Sequence, residues 1–202
     1  MLFRSVGEVL ASHPEVDMVS FTGSTRAGKR VGELASQSIK RVALELGGKS
    51  ASVILEDADL AAAVKGSVSA CMLNSGQTCS AHTRMLVPES RYEEAKSLAQ
   101  SAIAKFTLGP SLDENTRLGP LVSAAQRDRV LHFIEQGIKE GAEVLAGGPQ
   151  KPPFDKGYFV QPTILRVKAT DTLAKEEIFG PVLVIITYKD EEDAIRIAND
   201  SI

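Results

Sequence analysis

One cysteine in the chain has the surroundings of a reactive group. Cys79 lies in the polar stretch "NSGQTCSAH", whereas Cys71 lies in the apolar stretch "SVSACML" and is typical of a small buried residue. A cysteine on a polar turn can be exposed, and nearby backbone amides can stabilise its thiolate for attack on a substrate. His82 is close in sequence, but no third group is there to orient a Cys–His pair. Cys79 is therefore a candidate nucleophile, with an inert loop cysteine as the alternative.

A single acid stands at the end of a run of strand-forming residues. Glu45 belongs to "RVALEL", Arg41–Leu46, which we predict to be a buried strand, and two glycines follow it. Burial raises the pKa of a carboxyl group toward the range of a general base. Open α/β sheets bind ligands at the carboxyl ends of their strands, where Glu45 is expected. The alternatives are a surface carboxylate at a strand terminus and a carboxylate paired with Lys49 or Arg41.

A glycine pair precedes a lysine near the start of the chain. Gly23–Lys29 reads "GSTRAGK" and fits the phosphate-binding pattern G-x-x-x-x-G-K of P-loop NTPases. Such an enzyme needs Ser or Thr at the next position to bind Mg²⁺, and Arg30 stands there. The glycines follow a predicted strand and precede a helix predicted to begin at Ser24, so the backbone amides suit another phosphate group equally well. A tight turn with close helix packing is the third interpretation.

The elements that must position these residues alternate along the chain between strands and helices. This alternation predicts a doubly wound, mostly parallel α/β sheet. The Gly- and Pro-rich segment 147–158 is predicted to be an exposed loop. The predicted strands are 17–22, 41–46, 50–55, 160–167 and 182–188. The predicted helices are 24–36, 57–76 with Asp57 or Asp59 as its cap, 89–106, 123–141 and 191–199.

Composition narrows the class of partner. The chain has 202 residues, a formal net charge of -3 and no cluster of Lys and Arg, which argues against nucleic acid or an anionic membrane. No apolar run approaches the roughly 20 residues of a membrane span, and the first residues do not resemble a signal peptide. Two cysteines and three scattered histidines indicate no disulfide framework and no metal site. These features predict a cytoplasmic protein.

Five segments, in this order and at these separations, resemble motifs of the NAD(P)-dependent aldehyde dehydrogenase superfamily. They are "FTGSTRAG", "ELGGKSASVILEDADL", "NSGQTCSAHTR", "GYFVQPTI" and "KEEIFGPV", and the match runs from about His13 to the last residue. The resemblance implies an aldehyde dehydrogenase-like α/β fold that is incomplete at both ends. Residues 1–47 would form the C-terminal part of the NAD(P)-binding Rossmann-like domain, and residues 48–202 most of the catalytic domain. Met1–Ser5 match no part of the family.

The resemblance also implies roles for individual residues. Cys79 matches the nucleophile that forms a thiohemiacetal and then a thioester, and its backbone N–H matches half of an oxyanion hole. Glu45 matches the base that activates water to hydrolyse the thioester. Because branches of the family that use coenzyme A look as though they lack this glutamate, Glu45 favours release of a free carboxylic acid. The implied cofactor is NAD or NADP, with NAD favoured, and its matched positions are Gly23, Ser24, Gly28, Leu46, Gln126, Glu177 and Phe179.

The implied substrate is a small-molecule aldehyde, and the implied parent is a homodimer or homotetramer. The segments that would complete the oxyanion hole, select NAD against NADP and line the substrate tunnel are absent from these 202 residues. We therefore expect the chain to be inactive by itself. Two alternatives are a P-loop-like NTPase and a catalytically silent structural relative, which would need neither Cys79 nor Glu45.

Overall fold

The chain folds into two compact units, and the boundary between them in the sequence directly follows a strand. The computed structural model describes residues 2–201, and one unit ends at Gly47 while the other begins at Gly48. Both units contain helices and strands, which confirms the predicted α/β class. Within the described residues, no helix has the length and apolar character needed to cross a membrane.

The smaller unit contains a pair of parallel strands and two helices. Its elements are α1 (Leu2–Ser12), β1 (Met18–Gly23), α2 (Thr25–Ser36) and β2 (Arg41–Leu46). The register places Thr22 beside Glu45 and Gly23 beside Leu46. The prediction of a buried strand at 41–46 is wrong, because β2 pairs with β1 alone among the described residues and most of its side chains are exposed. Helix α1 was not predicted.

Helix α2 begins where the sequence predicts. Ser24 has an extended backbone, with φ -69° and ψ 147°, and its hydroxyl accepts a hydrogen bond of 3.3 Å from the amide of Ala27. A serine at this position satisfies one of the amides that the first helical turn leaves without a partner. Because Thr25–Lys29 are helical, the segment "GSTRAGK" is a strand end and a helix start. This geometry differs from a P-loop, in which the residues between the glycines wrap around a phosphate.

The larger unit is built on a five-stranded sheet. The strand bounds are Ala51–Val53 for β3, Arg84–Pro88 for β4, Glu143–Ala146 for β5, Thr163–Arg166 for β6 and Val182–Tyr188 for β7. These strands lie in the order β3, β4, β7, β6, β5, all parallel except β5, which runs antiparallel to β6. Strand β5 was not predicted.

Helices cover both faces of this sheet. The helix bounds are Leu60–Met72 for α3, Tyr92–Ile103 for α4, Ala124–Lys139 for α5, Thr172–Lys175 for α6 and Glu191–Asn199 for α7, and short 3-10 turns occupy Leu73–Gly76 and Glu89–Arg91. Alternate residues of β7 point to opposite cores: Leu183 and Ile185 pack with α3 and α4, and Val184 packs with α5, α6 and α7. This two-sided burial is typical of a doubly wound fold.

The predicted helix bounds lie within four residues of the observed ones. Asp59 caps α3 by accepting a hydrogen bond from the amide of Ala62, as the sequence indicated, and Ser123, where a helix was predicted to start, caps α5 by accepting one from the amide of Gln126. The helix predicted to reach residue 76 instead stops at Met72, because the following residues leave the helical region. The short helix α6 was not predicted. Segment 147–158 has neither helix nor strand, as predicted.

A buried guanidinium joins three parts of the larger unit. Arg84, at the start of β4, is 2% exposed. Its Nε donates to the carbonyl of Lys49 at 2.8 Å, and its terminal nitrogens donate to the carbonyls of Ile197 and Ala198 at 2.9 and 2.8 Å. The last two carbonyls lie at the end of α7, so Arg84 satisfies acceptors that a helix C-terminus leaves without a partner.

Replacing Arg84 by methionine should lower the free energy of unfolding of the chain by about 3 kcal/mol. The methionine keeps the apolar contacts but leaves three carbonyls without their donor, and buried acceptors without partners are costly. Urea unfolding followed by circular dichroism measures the change. As a control, Arg196→Met removes an exposed arginine of α7 that pairs with Asp193, and should change stability by less than about 1 kcal/mol. Equal losses in the two variants would contradict the role given to Arg84.

Candidate active site

The candidate nucleophile lies on a turn with an unusual backbone. After α3 ends, Asn74, Ser75 and Gly76 all have positive φ, at 50°, 55° and 73°. Two of these three residues carry a Cβ, and such residues adopt the left-handed region only when surrounding contacts hold them there. The hydroxyl of Ser75 donates to the carbonyl of Gly119 at 2.9 Å, and the side-chain amide of Asn74 donates to the carbonyl of Gln77 at 3.1 Å. These contacts fix the chain immediately before Cys79.

Further hydrogen bonds hold the remainder of the turn. The side-chain oxygen of Gln77 accepts from the backbone amide of Val122 at 3.0 Å, and the hydroxyl of Thr78 donates to the carbonyl of Leu73 at 3.4 Å. Cys79 is exposed, whereas Cys71 is buried. His82 is exposed as well, and no hydrogen bond joins it to Cys79 within the described part of the chain. The turn therefore presents one accessible thiol on a fixed backbone.

A second loop carries Glu177 and Phe179 and is held from helix α5. The side-chain amide of Gln126 donates to the carbonyls of Ile178 and Phe179 at 3.1 and 2.8 Å. One turn further along α5, Arg129 donates to the carbonyl of Glu177 at 2.7 Å. Phe179 has φ 59°, a strained value for an aromatic residue. These hydrogen bonds and the buried side chain of Ile178 fix the loop backbone, while the side chains of Glu177 and Phe179 remain half-buried.

The two loops touch through their glycines. A Cβ placed on Gly76 would overlap the carbonyl of Gly180 and lie 2.7 Å from the nitrogen of Pro181. Gly76 also has positive φ, so two independent constraints require glycine at this position. On the other side of the turn, a Cβ placed on Gly48 would lie 4.0 Å from the carbonyl oxygen of Cys79. Backbone contacts thus fix the nucleophile turn relative to the loop of Glu177.

The remaining candidates lie in the smaller unit. Gly23 ends β1 and Ser24 caps α2, whose first-turn amides make this helix start suitable for an anion. Gly28 is buried, and a Cβ there would overlap the side chain of Leu46. Glu45 is exposed, so the burial on which its general-base interpretation relied does not occur in this structure. Its place at the carboxyl end of β2 is as predicted.

The match to a family model decides the family. The model of the aldehyde dehydrogenase family matches residues 3–202, so the expectation that Met1–Ser5 match no part of the family is wrong for Phe3–Ser5. The chain belongs to the aldehyde dehydrogenase family.

Named relatives of this family member act on different aldehydes. The chain is 52% identical to 3-succinoylsemialdehyde-pyridine dehydrogenase of a Pseudomonas species over 198 residues, which are 97% of this chain and 42% of that protein. It is 46% identical to geranial dehydrogenase of Castellaniella defragrans over 199 residues, which are 98% of this chain and 41% of that protein. The chain thus spans less than half the length of these relatives.

Solved structures of other aldehyde dehydrogenases share the fold. A Cys-to-Ala variant of aldehyde dehydrogenase C from Pseudomonas syringae, complexed with NAD⁺ and octanal, matches with a TM-score of 0.95 and 44% identity over 97% of this chain and 41% of that one. The Mycobacterium tuberculosis enzyme complexed with NAD⁺ matches with a TM-score of 0.91 and 48% identity over 95% of this chain and 40% of that one. The predicted aldehyde dehydrogenase-like fold is confirmed.

Sequence motifs indicated the candidate site residues of this family member, but not all of the residues that hold them in place. Arg129 and Gln77 were not singled out, although Arg129 lies three residues after Gln126 and therefore on the same face of α5. Gln126 was predicted to bind cofactor, and its amide nitrogen donates to two loop carbonyls. Its side-chain oxygen is the atom left for a ligand.

Proposed function

We propose that this chain is the cysteine-bearing part of an NAD(P)-dependent aldehyde dehydrogenase that oxidises an aldehyde to a carboxylic acid. The observation that carries the proposal is the exposed Cys79 on a turn whose backbone packs against the loop of Glu177 and Phe179. A nucleophile must lie at a fixed position relative to the group that accepts the hydride, and two rigid loops in contact provide this.

The residues suit a dinucleotide cofactor. The free amides at the start of α2, beside Gly23 and Ser24, match the charge of a pyrophosphate. The carboxylate of Glu177 can accept hydrogen bonds from ribose hydroxyls, and Phe179 offers an aromatic face beside it. Leu46 and Gln126 complete the proposed set. When bound, the cofactor supplies the acceptor for a hydride from the substrate carbon.

The proposed chemistry requires two side chains of this chain, the thiol of Cys79 and the carboxylate of Glu45. The thiolate of Cys79 attacks the aldehyde carbon, and the backbone N–H of Cys79 donates to the resulting oxyanion. After oxidation the acyl group remains on Cys79 as a thioester. Glu45 then removes a proton from a water molecule, whose oxygen attacks the thioester carbon and releases the acid and the thiol. An exposed carboxylate at a strand end is accessible to such a water molecule.

We further propose that the chain functions within a longer polypeptide and is inactive alone. The matched relatives are more than twice its length, and the smaller unit provides two strands for a cofactor domain that would need more. Residues 1–47 would belong to the NAD(P)-binding domain and residues 48–202 to the catalytic domain. NADH production from aldehyde by the purified 202-residue chain would disprove this part of the proposal.

The remaining features of the enzyme follow the family and its solved members. We propose NAD as the cofactor, since the P. syringae and M. tuberculosis enzymes contain NAD⁺. A small-molecule aldehyde is the proposed substrate, and a cytoplasmic homodimer or homotetramer the proposed form. The relatives' names refer to a pyridine semialdehyde and to geranial, so we assign no narrower substrate class.

Replacing Glu45 by glutamine in the full-length enzyme should slow thioester hydrolysis by about 100-fold or more, because the amide cannot accept the proton from water. An acyl group should then accumulate on Cys79 and be visible as a mass increase of the intact protein after mixing with aldehyde and NAD⁺. As a control, Glu33→Gln changes another exposed acid of the smaller unit, on α2, and should accumulate no acyl-enzyme. Hydrolysis at the parent rate in Glu45→Gln would mean that another group is the base.

A further inference from the structure

A buried lysine lies beside the candidate site without a hydrogen-bond partner. Lys49 is 5% exposed, and its Nζ has no partner among the described residues. Its backbone is fixed, since its carbonyl accepts the hydrogen bond from Arg84, and the preceding residue, Gly48, lies close to the carbonyl of Cys79. An unpartnered ammonium group in a protein interior is costly, and a methionine, which is unbranched and one atom shorter, would avoid that cost. Its presence at this position therefore calls for a compensating charge.

The groups around Lys49 identify that charge. Burial lowers the pKa of Lys49 to about 8, and the positive charge of Arg84 acts in the same direction, while Glu177 and Glu176 oppose it. The Cys71 thiol is also nearby, but burial raises its pKa to about 12, so it is neutral at physiological pH. The compensating negative charge must come from the two glutamates. Of these, Glu176 is exposed and screened by water, whereas Glu177 is half-buried.

No contact within the described residues fixes the orientation of the Glu177 carboxylate. Its backbone is held by Arg129, but its carboxylate makes no hydrogen bond or ion pair with any other described residue. A carboxylate that is free to rotate into solvent loses conformational entropy when it binds a ligand, and a charge behind it reduces that loss.

We propose that Lys49 is a positioning residue for Glu177, whose carboxylate it attracts from the protein side and holds towards the ribose of the nicotinamide half of the cofactor. This inference depends on the proposed role of Glu177 in cofactor binding. It assigns Lys49 no contact with substrate or cofactor. The effect is therefore expected in cofactor affinity and not in the chemistry at Cys79.

A double-mutant cycle in the full-length enzyme tests the pairing. Lys49→Met should raise the dissociation constant for NAD⁺ about tenfold, whereas in the Glu177→Gln background the same change should have almost no effect. Affinity for AMP, which lacks the nicotinamide ribose, should be unchanged, and Lys49→Arg should restore most of the affinity for NAD⁺. Cys71→Ala is the matched control, because it alters the same buried surroundings without removing a charge, and should leave NAD⁺ affinity unchanged.

The pH dependence of binding provides a second measurement that needs no Lys49 variant. In the Cys79→Ser enzyme, which has no thiol at position 79, affinity for NAD⁺ should fall as pH rises through about 8, because deprotonation of Lys49 removes the attraction. The charges that act on Lys49 are those of Arg84, Glu176 and Glu177, and burial keeps the Cys71 thiol protonated, so a midpoint near pH 8 reports Lys49. The dependence should be absent in the Cys79→Ser enzyme that also carries Glu177→Gln.

Three results would overturn the inference: an unchanged NAD⁺ dissociation constant in Lys49→Met, equal losses in the two backgrounds of the cycle, or affinity for NAD⁺ that is constant from pH 7 to 9. If Lys49→Met fails to fold, the pH measurement decides alone. Failure of the proposed function is separate, since it would appear as undiminished aldehyde oxidation in Cys79→Ser.

Discussion

Replacing Cys79 by serine in the full-length enzyme should lower the rate of aldehyde oxidation by about 10⁴-fold or more while NAD⁺ still binds. A serine hydroxyl attacks a carbonyl only when a neighbouring base takes its proton, and the turn provides none. His82 is exposed and makes no hydrogen bond to Cys79 among the residues described, and the side chains of Gln77 and Thr78 are engaged with Val122 and Leu73. The oxygen would therefore remain protonated and unreactive.

The measurement is the initial rate of NADH formation, with the NAD⁺ dissociation constant obtained by titration of the same preparation. Cys71→Ala is the control: its thiol is buried in α3 and its pKa is raised to about 12, so its loss should leave the rate within a factor of about two. A Cys79→Ser enzyme that oxidises aldehyde at the parent rate would remove Cys79 from the mechanism. An inactive Cys71→Ala enzyme would indicate that aldehyde oxidation requires the thiol of Cys71.

The sequence predicts features that depend on neighbouring residues, and the structure agrees with most of them. The helix starts at Ser24 and Ser123 and the cap at Asp59 were predicted correctly, because residues within three positions of a helix start decide where it begins. Strand β7 was also predicted with its observed bounds, since Val182–Tyr188 is apolar and is buried on both faces of the sheet.

Errors occurred where distant contacts decide the local conformation. The helix predicted to reach residue 76 stops at Met72, because the left-handed turn after it is held by Gly119, 44 residues further along the chain. Glu45 was expected to be buried and is exposed, since an apolar segment indicates a strand but not how many strands will cover it.

The same distinction between neighbouring residues and distant contacts applies to the candidate site. Cys79 and Glu45 could be singled out because each differs in type from its immediate neighbours. The link between Gln126 and the loop at Phe179 spans 53 residues, and that between Arg129 and Glu177 spans 48. Periodicity and motif spacing contain no information about such pairs, so the contacts by which Gln126 and Arg129 hold the loop were found only in the structure.

The second prediction with a large expected effect concerns the contact between Gly76 and Gly180. Gly76→Ala should lower the free energy of unfolding by about 3 kcal/mol, because a methyl group at this position overlaps the backbone of Gly180 and the residue must keep φ at 73°. Neither loop can yield easily: Gly180 follows the strained Phe179, and a Cβ on Gly180 would itself lie 2.5 Å from a side-chain carbon of Val130. The methyl group must therefore push the turn of Cys79 away from the loop of Glu177.

That displacement should also slow catalysis in the molecules that remain folded. A shift of the nucleophile by about 1 Å relative to the hydride acceptor can lower the rate about 100-fold, so kcat of the folded Gly76→Ala enzyme should fall by that order. Gly66→Ala is the matched control, because Gly66 lies exposed in α3 with no atom within 4 Å of its added Cβ. This change should stabilise the helix by about 0.5–1 kcal/mol and leave kcat unchanged. A Gly76→Ala enzyme with parental stability and kcat would show that the two loops are not locked together, and would remove the contact on which the geometry of the proposed site depends.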